Sequence, residues 1–152
     1  MGVAALLGRV FYSLIFIGSS VGHFQAETIA YASAQGVPSA GVLVPLSGAL
    51  ALLGGLCVAL GWKTRMGGML LVLFLVPVTF MLHDYWNFSD PVQKMNQYQH
   101  FMKNISMLGG AFLLAYFGGG PLSLDSRRVR PYAFEKEVPV AQRRRETVGT
   151  PL

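Results

Sequence analysis

Residues 41–61 and 66–82 contain no charged side chain, and residues 3–22 contain one, Arg9. Each stretch approaches the ~20 residues that a helix needs to cross hydrocarbon. A chain built from such runs folds in a membrane, where a helix satisfies every backbone N–H and C=O within itself. Composition points the same way: the chain is 53% hydrophobic and 12% charged, against a usual charged share of about 25%. The net charge of +5 over 152 residues is not a nucleic-acid signature, because seven of the twelve basic residues lie after Gly120. A basic tail beside a membrane segment fits cytoplasmic orientation and attraction to anionic lipid.

The sequence has one cysteine, Cys57, in the middle of an apolar run. An intramolecular disulfide and a CxxC thiol relay are therefore excluded, and Cys57 reads as a small buried apolar residue. Nucleophile elbow, Walker loop, HExxH and dinucleotide fingerprint are all absent. A polar stripe through every span, which an ion-coupled transporter or channel needs, is missing as well. These absences lean away from an enzyme, and no catalytic residue is assigned.

Taken in order, the first span, residues 3–22, keeps Arg9 near its end, where the long side chain is expected to snorkel to the interface. Gly18 and Gly22 make a small-xxx-small spacing suited to close helix packing. Residues 23–40 form a loop with a short interfacial helix, stopped by Gly36 and Pro38. The second span, 41–61, leads through the basic turn Trp62-Lys63-Thr64-Arg65 into the third, 66–82, where Gly67 and Gly68 offer close backbone approach and Pro77 predicts a kink. After a polar, aromatic stretch, Asp90 followed by Pro91 reads as an N-cap with proline at the first helical position. A fourth span is expected over about 100–118. The expected fold is all-α, an antiparallel four-helix transmembrane bundle over residues 1–121. Arg9, Lys63, Arg65 and the tail cations would lie inside, with only Lys94 and Lys103 outside, giving an N-in, C-in topology.

Residues 122–152 form a basic cytoplasmic tail with Arg127, Arg128, Arg130, Arg143, Arg144 and Arg145. Alone, the tail buries too little apolar surface to offset its ordering entropy. Its expected partners are membrane lipids and a larger membrane protein complex that orders it; nucleic acid is not expected.

Residues 83–104, H-D-Y-W-N-F-S-D-P-V-Q-K-M-N-Q-Y-Q-H-F-M-K-N, hold His83, His100, Trp86 and Lys103. On a helix starting at Pro91, Asn96, His100, Lys103 and Met107 fall on one face, with Asn104 beside them. With His23 ending the first span, all three histidines belong at the outer end, near Glu27, Asp84 and Asp90. Three chemistries fit. In a quinone or small-molecule rim, His83, His100 and Lys103 donate to a carbonyl or anionic oxygen while Trp86 and Tyr98 supply flat walls, beside Asn104. A metal would have only weak candidate ligands in His23, His83 and His100, since no HxxxH or HxH spacing exists. The third reading is interfacial anchoring by aromatics, with Lys103 snorkelling outward.

The segment H-D-Y-W-N-F followed by M-N-Q-Y-Q-H-F-M-K-N-I-S-M-L-G-G-A-F-L-L, residues 83–114, resembles the DoxX family of small four-helix bacterial membrane proteins. So do G-G-G-P-L-S-L-D, residues 118–125, and G-G-L-C-V-A-L-G-W-K-T-R, residues 54–65. The chain departs from that family in having His23 where a lysine is common and Leu50-Ala51-Leu52-Leu53 where a glutamate is common. The resemblance implies the bacterial cytoplasmic (inner) membrane and a link to redox physiology, since relatives include the small subunit of a thiosulfate:quinone oxidoreductase. On that footing the expected role is an accessory or structural subunit of a redox-associated membrane complex. The alternative is a quinone-linked oxidoreductase component, with quinone as its cofactor; the accessory role requires no cofactor.

Overall fold

The computed structural model describes residues 2–128. Among them there is no strand, and the helices are α1 (Gly2–Ser20), α2 (Ala26–Ala34), α3 (Ala40–Leu60), α4 (Thr64–Leu82), α5 (Pro91–Phe117) and α6 (Leu124–Arg128). A 3-10 turn, Val21–Phe24, extends α1, and a second one, Tyr85–Asn87, follows α4. The first three apolar runs become α1, α3 and α4, and the short helix expected in the first loop is α2.

Local chemistry sets the boundaries. Gly36 has φ +83 just past α2, a left-handed turn that carries little steric penalty for glycine. At the end of α3, Gly61 adopts φ +66, and its N–H and that of Trp62 return to the Val58 and Cys57 carbonyls at 3.1 and 2.9 Å. That is a Schellman ending. Asp90 caps α5 as its sequence implies: its carboxylate accepts from Gln93 N at 2.8 Å, with Pro91 at the helix start.

Among the described residues, three stretches are long and apolar enough to cross a membrane: Gly2–Phe24, Ala40–Leu60 and Thr64–Asn87. The fourth long helix, α5, is not among them. Its first half carries Lys94, Asn96, Gln97, Gln99, His100, Lys103 and Asn104, and only residues 105–117 are continuously free of charge and side-chain amides. At 1.5 Å per residue this run spans about 20 Å, less than the hydrocarbon core.

The four long helices share one core of Phe16 from α1, Ala51 and Val58 from α3, Leu71, Phe74 and Leu75 from α4, and Ala111 from α5. The polarity is inverted relative to a water-soluble domain. Phe11, Leu14, Leu46, Leu53, Leu73, Phe80, Phe112 and Leu113 are exposed, whereas Arg9, Ser13, Ser20, Thr64, Thr79 and Asn104 are buried. So large an apolar exterior is a lipid-facing surface. Inside, hydroxyls fold back onto their own helices, Ser13 to Arg9 O at 2.7 Å and Thr79 to Leu75 O at 2.6 Å, so no polar group stands unsatisfied there on their account.

Glycines bring the backbones together, as expected at Gly67 and Gly68. A Cβ on Gly67 would stand 3.1 Å from Gly54 O, and one on Gly68 would stand 2.7 Å from Ala115 N. The Gly18 and Gly22 pair plays no such part; nothing lies within 4 Å of a Cβ on either. Between α1 and α5 the link is Tyr12, whose hydroxyl donates to Met107 O.

Arg9 does not snorkel to the interface. It is 3% exposed and turns inward, donating to the carbonyls of Gly119 and, at 2.9 Å, Leu122. The start of α1, the α3–α4 turn and the end of α5 therefore meet at one arginine end. Asp125 completes it, accepting from Lys63 N at 2.8 Å, Thr64 N at 2.9 Å and Thr64 Oγ1 at 2.9 Å, while Asp125 N donates to Gly61 O at 2.9 Å.

Gly68→Ala forces a methyl onto Ala115 N and Ala111 O, at 2.7 and 2.9 Å, both backbone atoms that cannot rotate away. Its expected cost is about 1–3 kcal/mol from overpacking. Gly109→Ala meets nothing within 4 Å and is expected to gain about 0.5–1 kcal/mol of helix stability. Unfolding midpoints in one detergent should rank Gly109→Ala at or above the natural chain and Gly68→Ala clearly below it.

Candidate functional site

The opposite, histidine end is built where α4 stops. His83 leaves the helix with φ −126 and ψ 41, and the loop behind it is braced by Asn87 Nδ2 donating to Asp84 Oδ2 at 2.6 Å. The Asp90 cap and Pro91 then aim α5 back across this end.

The burial of α5 is centred one residue away from the expected face. Gln97, Phe101, Asn104, Leu108, Ala111 and Ala115 form the buried or half-buried stripe, whereas Asn96, His100 and Lys103 are exposed on its flank and Met107 is half-buried. Asn104, expected beside the stripe, is at its centre and 4% exposed.

On that exposed flank the structure brings together His83, His100 and Lys103. The two imidazoles stack with centroids 5.2 Å apart and planes 26° apart, and Lys103 Nζ lies 3.2 Å from His100 Nδ1. An ammonium only donates, so His100 Nδ1 carries the lone pair and the neutral ring's proton is on Nε2. His83 takes the other tautomer: its Nδ1 lies 2.8 Å from Gln97 Oε1, an acceptor, so Nδ1 donates. Gln97 Nε2 reaches the Tyr31 hydroxyl of α2 at 3.4 Å. The chain Tyr31–Gln97–His83 thus ties α2, α5 and the end of α4 together. These contacts leave Nε2 of each ring without an assigned partner, an acceptor on the His83 tautomer with its proton on Nδ1 and a donor on the His100 tautomer.

Trp86 and Tyr98 do not wall this pair. Tyr98 is two residues from His100 on the helix, about 200° around its axis. It joins Tyr85 at 5.2 Å, Tyr85 joins Trp86 at 5.1 Å and Phe101 at 5.5 Å, and Phe101 joins Phe80 at 5.5 Å. These edge-to-face contacts form a packed aromatic cluster on the far flank of α5. Gln97 and Phe101 join this end without having been expected there from the sequence. The i, i+3 spacing of Tyr98 and Phe101 is the signal that points to the cluster.

His23 belongs to neither set. Its Nδ1 donates to Ser19 O at 3.0 Å, its ring sits 5.5 Å from Phe74, and a Cβ on Gly48 would stand 2.6 Å from its own Cβ. Among the described residues no three His, Cys, Asp or Glu side chains are gathered as a metal site. Of the tail cations, Arg127 is exposed at the arginine end and Arg128 closes α6; Arg130, Arg143, Arg144 and Arg145 lie outside the described residues. A groove of about 270 Å³ between α3 and α4, lined by Val37, Leu46, Leu73 and Pro77 among others, runs up to Leu82 beside His83 but includes neither His83 nor His100, and a basin of about 770 Å³ lies at the arginine end.

Residues 38–130 match the family model described as the SURF4 family. Inner membrane protein YqjF of Escherichia coli is 34% identical over 125 residues, covering 81% of this chain and 90% of that one. The chain belongs to the SURF4 family. Inner membrane protein YphA of the same organism is 27% identical over 127 residues, 82% of this chain and 90% of that one. ER-derived vesicles protein ERV29 of Saccharomyces cerevisiae is 32% identical over 79 residues, 52% of this chain and 25% of that protein. No solved structure matches the chain.

The SURF4 match corrects the DoxX resemblance, since the three motifs that carried it all lie within residues 38–130. Paired helix glycines, an aromatic loop and a glycine-proline helix end answer to membrane physics in any such bundle, so they do not separate two families of this shape. The redox theme loses its basis with that correction, and so does the meaning attached to the missing lysine and glutamate. Both E. coli relatives are inner membrane proteins by name, and with its apolar helices this SURF4-family chain is a multi-pass protein of the bacterial cytoplasmic (inner) membrane.

Gln97→Leu removes the acceptor of His83 and the donor to Tyr31. In the natural chain the ring ¹⁵N shifts of His83 should show the proton on Nδ1; the variant should lose that pattern. Amides of α2 should exchange several-fold faster, as about 1 kcal/mol of hydrogen bonding disappears, while those of α3 stay unchanged. An identical His83 tautomer and equal α2 protection in both proteins would mean the chain of bonds does not form.

Proposed function

We propose that this SURF4-family protein is a non-catalytic accessory subunit of an inner-membrane assembly, contacting its partner through the histidine end. Four helices cross the membrane antiparallel, α5 being the fourth, with both termini inside. In support, Arg9, Lys63, Arg65 and Arg127 share the arginine end, while Lys94 and Lys103 belong to the polar half of α5 toward the histidine end, the distribution expected for an inward arginine end.

The observation that carries this reading is the polar first half of α5. Its opening residues are exposed from Pro91 to Asn96, although the helix needs no such extension to pack against α4. The donor and acceptor of His83 and His100 with the Lys103 charge suit an amide or carboxylate on a partner's surface. The basic tail, residues 122–152, would be held by the same assembly on the inner side.

Extraction in mild detergent is expected to yield a particle larger than the lone chain. His100→Ala with Lys103→Ala should release the chain from it without lowering its own unfolding midpoint, because both side chains are exposed. A natural chain that is monomeric both in detergent and after cross-linking in intact membranes overturns the proposal. So does a soluble quinone analogue that raises the midpoint of the natural chain but not of the double variant, which would establish a quinone rim instead.

A further inference from the structure

The basin of about 770 Å³ at the arginine end has a composition that the contact proposed above leaves unused. Its floor is the glycine run Gly118, Gly119 and Gly120, and Lys63 and Arg65 stand at its edge. Both cations are exposed. Among the described residues neither has a carboxylate within ion-pair distance, and the contact shown for Lys63 Nζ is the Trp62 ring, 5.2 Å from its centroid. The Arg65 side chain lies across the floor, its Cγ and Nε 3.6 Å from where a Cβ on Gly118 would stand. The one acid in the wall, Asp125, is turned to the α4 start, accepting from Lys63 N, Thr64 N and Thr64 Oγ1. Its charge is therefore engaged by the fold instead of opposing an anion in the basin.

The other side of the basin is apolar. Met66 and Phe117 line it and are exposed, one from the first turn of α4 and the other from the last turn of α5. Cations and bare backbone on one side, with lipid-facing apolar side chains on the other, match a molecule that carries both a phosphate and acyl chains. A free anion would use only half of the surface. Arginine, with its planar fork, is the side chain best suited to hold a phosphodiester there, and lysine adds a point charge.

We infer that the basin between the α3–α4 turn and the end of α5 is a binding site for one anionic phospholipid, its phosphate between Lys63 and Arg65 and its chains leaving over Met66 and Phe117. The site does not depend on which leaflet the arginine end faces, nor on the partner contact at the histidine end.

The test uses the full chain, delipidated in detergent, with phosphatidylglycerol, phosphatidylcholine and inorganic phosphate as separate probes. Phosphatidylglycerol should raise the unfolding midpoint and remain bound one per chain in native mass spectra, with phosphatidylcholine at least tenfold weaker and inorganic phosphate without effect. Lys63→Gln with Arg65→Gln should abolish the preference for phosphatidylglycerol while keeping the midpoint in phosphatidylcholine. Should that double variant unfold, Arg65→Gln alone, whose side chain is exposed, should still weaken phosphatidylglycerol several-fold. An equal shift with inorganic phosphate would make this a free-anion site and overturn the lipid assignment. Undiminished phosphatidylglycerol binding by the variants would overturn the site itself.

Discussion

A buried guanidinium organises the arginine end, and the helices that meet there depend on it. Arg9 sits on the second turn of α1 with three loop carbonyls around it, those of Gly119, Pro121 and Leu122. A charge removed from water carries a penalty of several kcal/mol unless its donors are satisfied. Carbonyls of the chain leaving α5 satisfy the terminal nitrogens, while Nε has no partner among the described residues. The same end holds two non-glycine residues in the left-handed region, Lys63 at φ 47 and Leu122 at φ 58. Each such conformation costs of order 1–3 kcal/mol and persists only where neighbours over-determine it. Asp125 holds the first by accepting from Lys63 N and Thr64 N, and Arg9 holds the second through the Leu122 carbonyl. Arg9 and Asp125 thus clasp the start of α1, the α3–α4 turn and the exit of α5 in one register.

The two ends differ in kind because of how they are held. At the arginine end the contacts are backbone-to-charge and sterically tight: a Cβ on Gly61 would stand 2.5 Å from Ser123 Cβ, and one on Gly119 2.6 Å from Thr64 Oγ1. At the histidine end α2 is tied to α5 through one side-chain bond of 3.4 Å, and α5 overhangs with exposed polar residues. The exposed start of α5 is where local opening is cheapest. A rigid base and a loosely tied rim suit a protein that is anchored at one end and makes its contacts at the other.

What the sequence discloses and what it hides divide along the range of the interactions. The apolar runs of α1, α3 and α4, the Asp90–Pro91 helix start and the Gly67–Gly68 approach are local patterns, and each stands where its pattern places it. Arg9 could not be placed that way, since its partners are about 110 residues away and are backbone carbonyls with no side-chain signature. The packed α5 stripe lies one residue from the face that its ionisable side chains mark, because apolar and amide side chains, not the charged ones, set the packed face. Gln97 and Asn104 are amides in the packed stripe, while the ionisable His100 and Lys103 are the ones left on the flank. Trp86 and Tyr98 shared a level with the histidines, but level along a helix does not fix azimuth, and they lie on its other side.

The length of the apolar part of α5 links anchoring to the rim. If α5 crosses, its apolar run of about 20 Å cannot fill the ~30 Å hydrocarbon core, so the turn before residue 105 must enter the membrane as well. Asn104 tolerates that depth because it is buried in protein at 4% exposure, and Phe101 tolerates it because its ring packs on Phe80. Lys103 has no such cover, since it is exposed, and at that depth its ammonium is driven along the helix toward the headgroups. In that direction, one turn back, stands His100, whose Nδ1 lies 3.2 Å from Nζ. On the proposed reading of α5 as the fourth span, hydrophobic mismatch favours the contact that fixes the tautomer of His100, and anchoring and partner contact at this rim would be one arrangement of side chains.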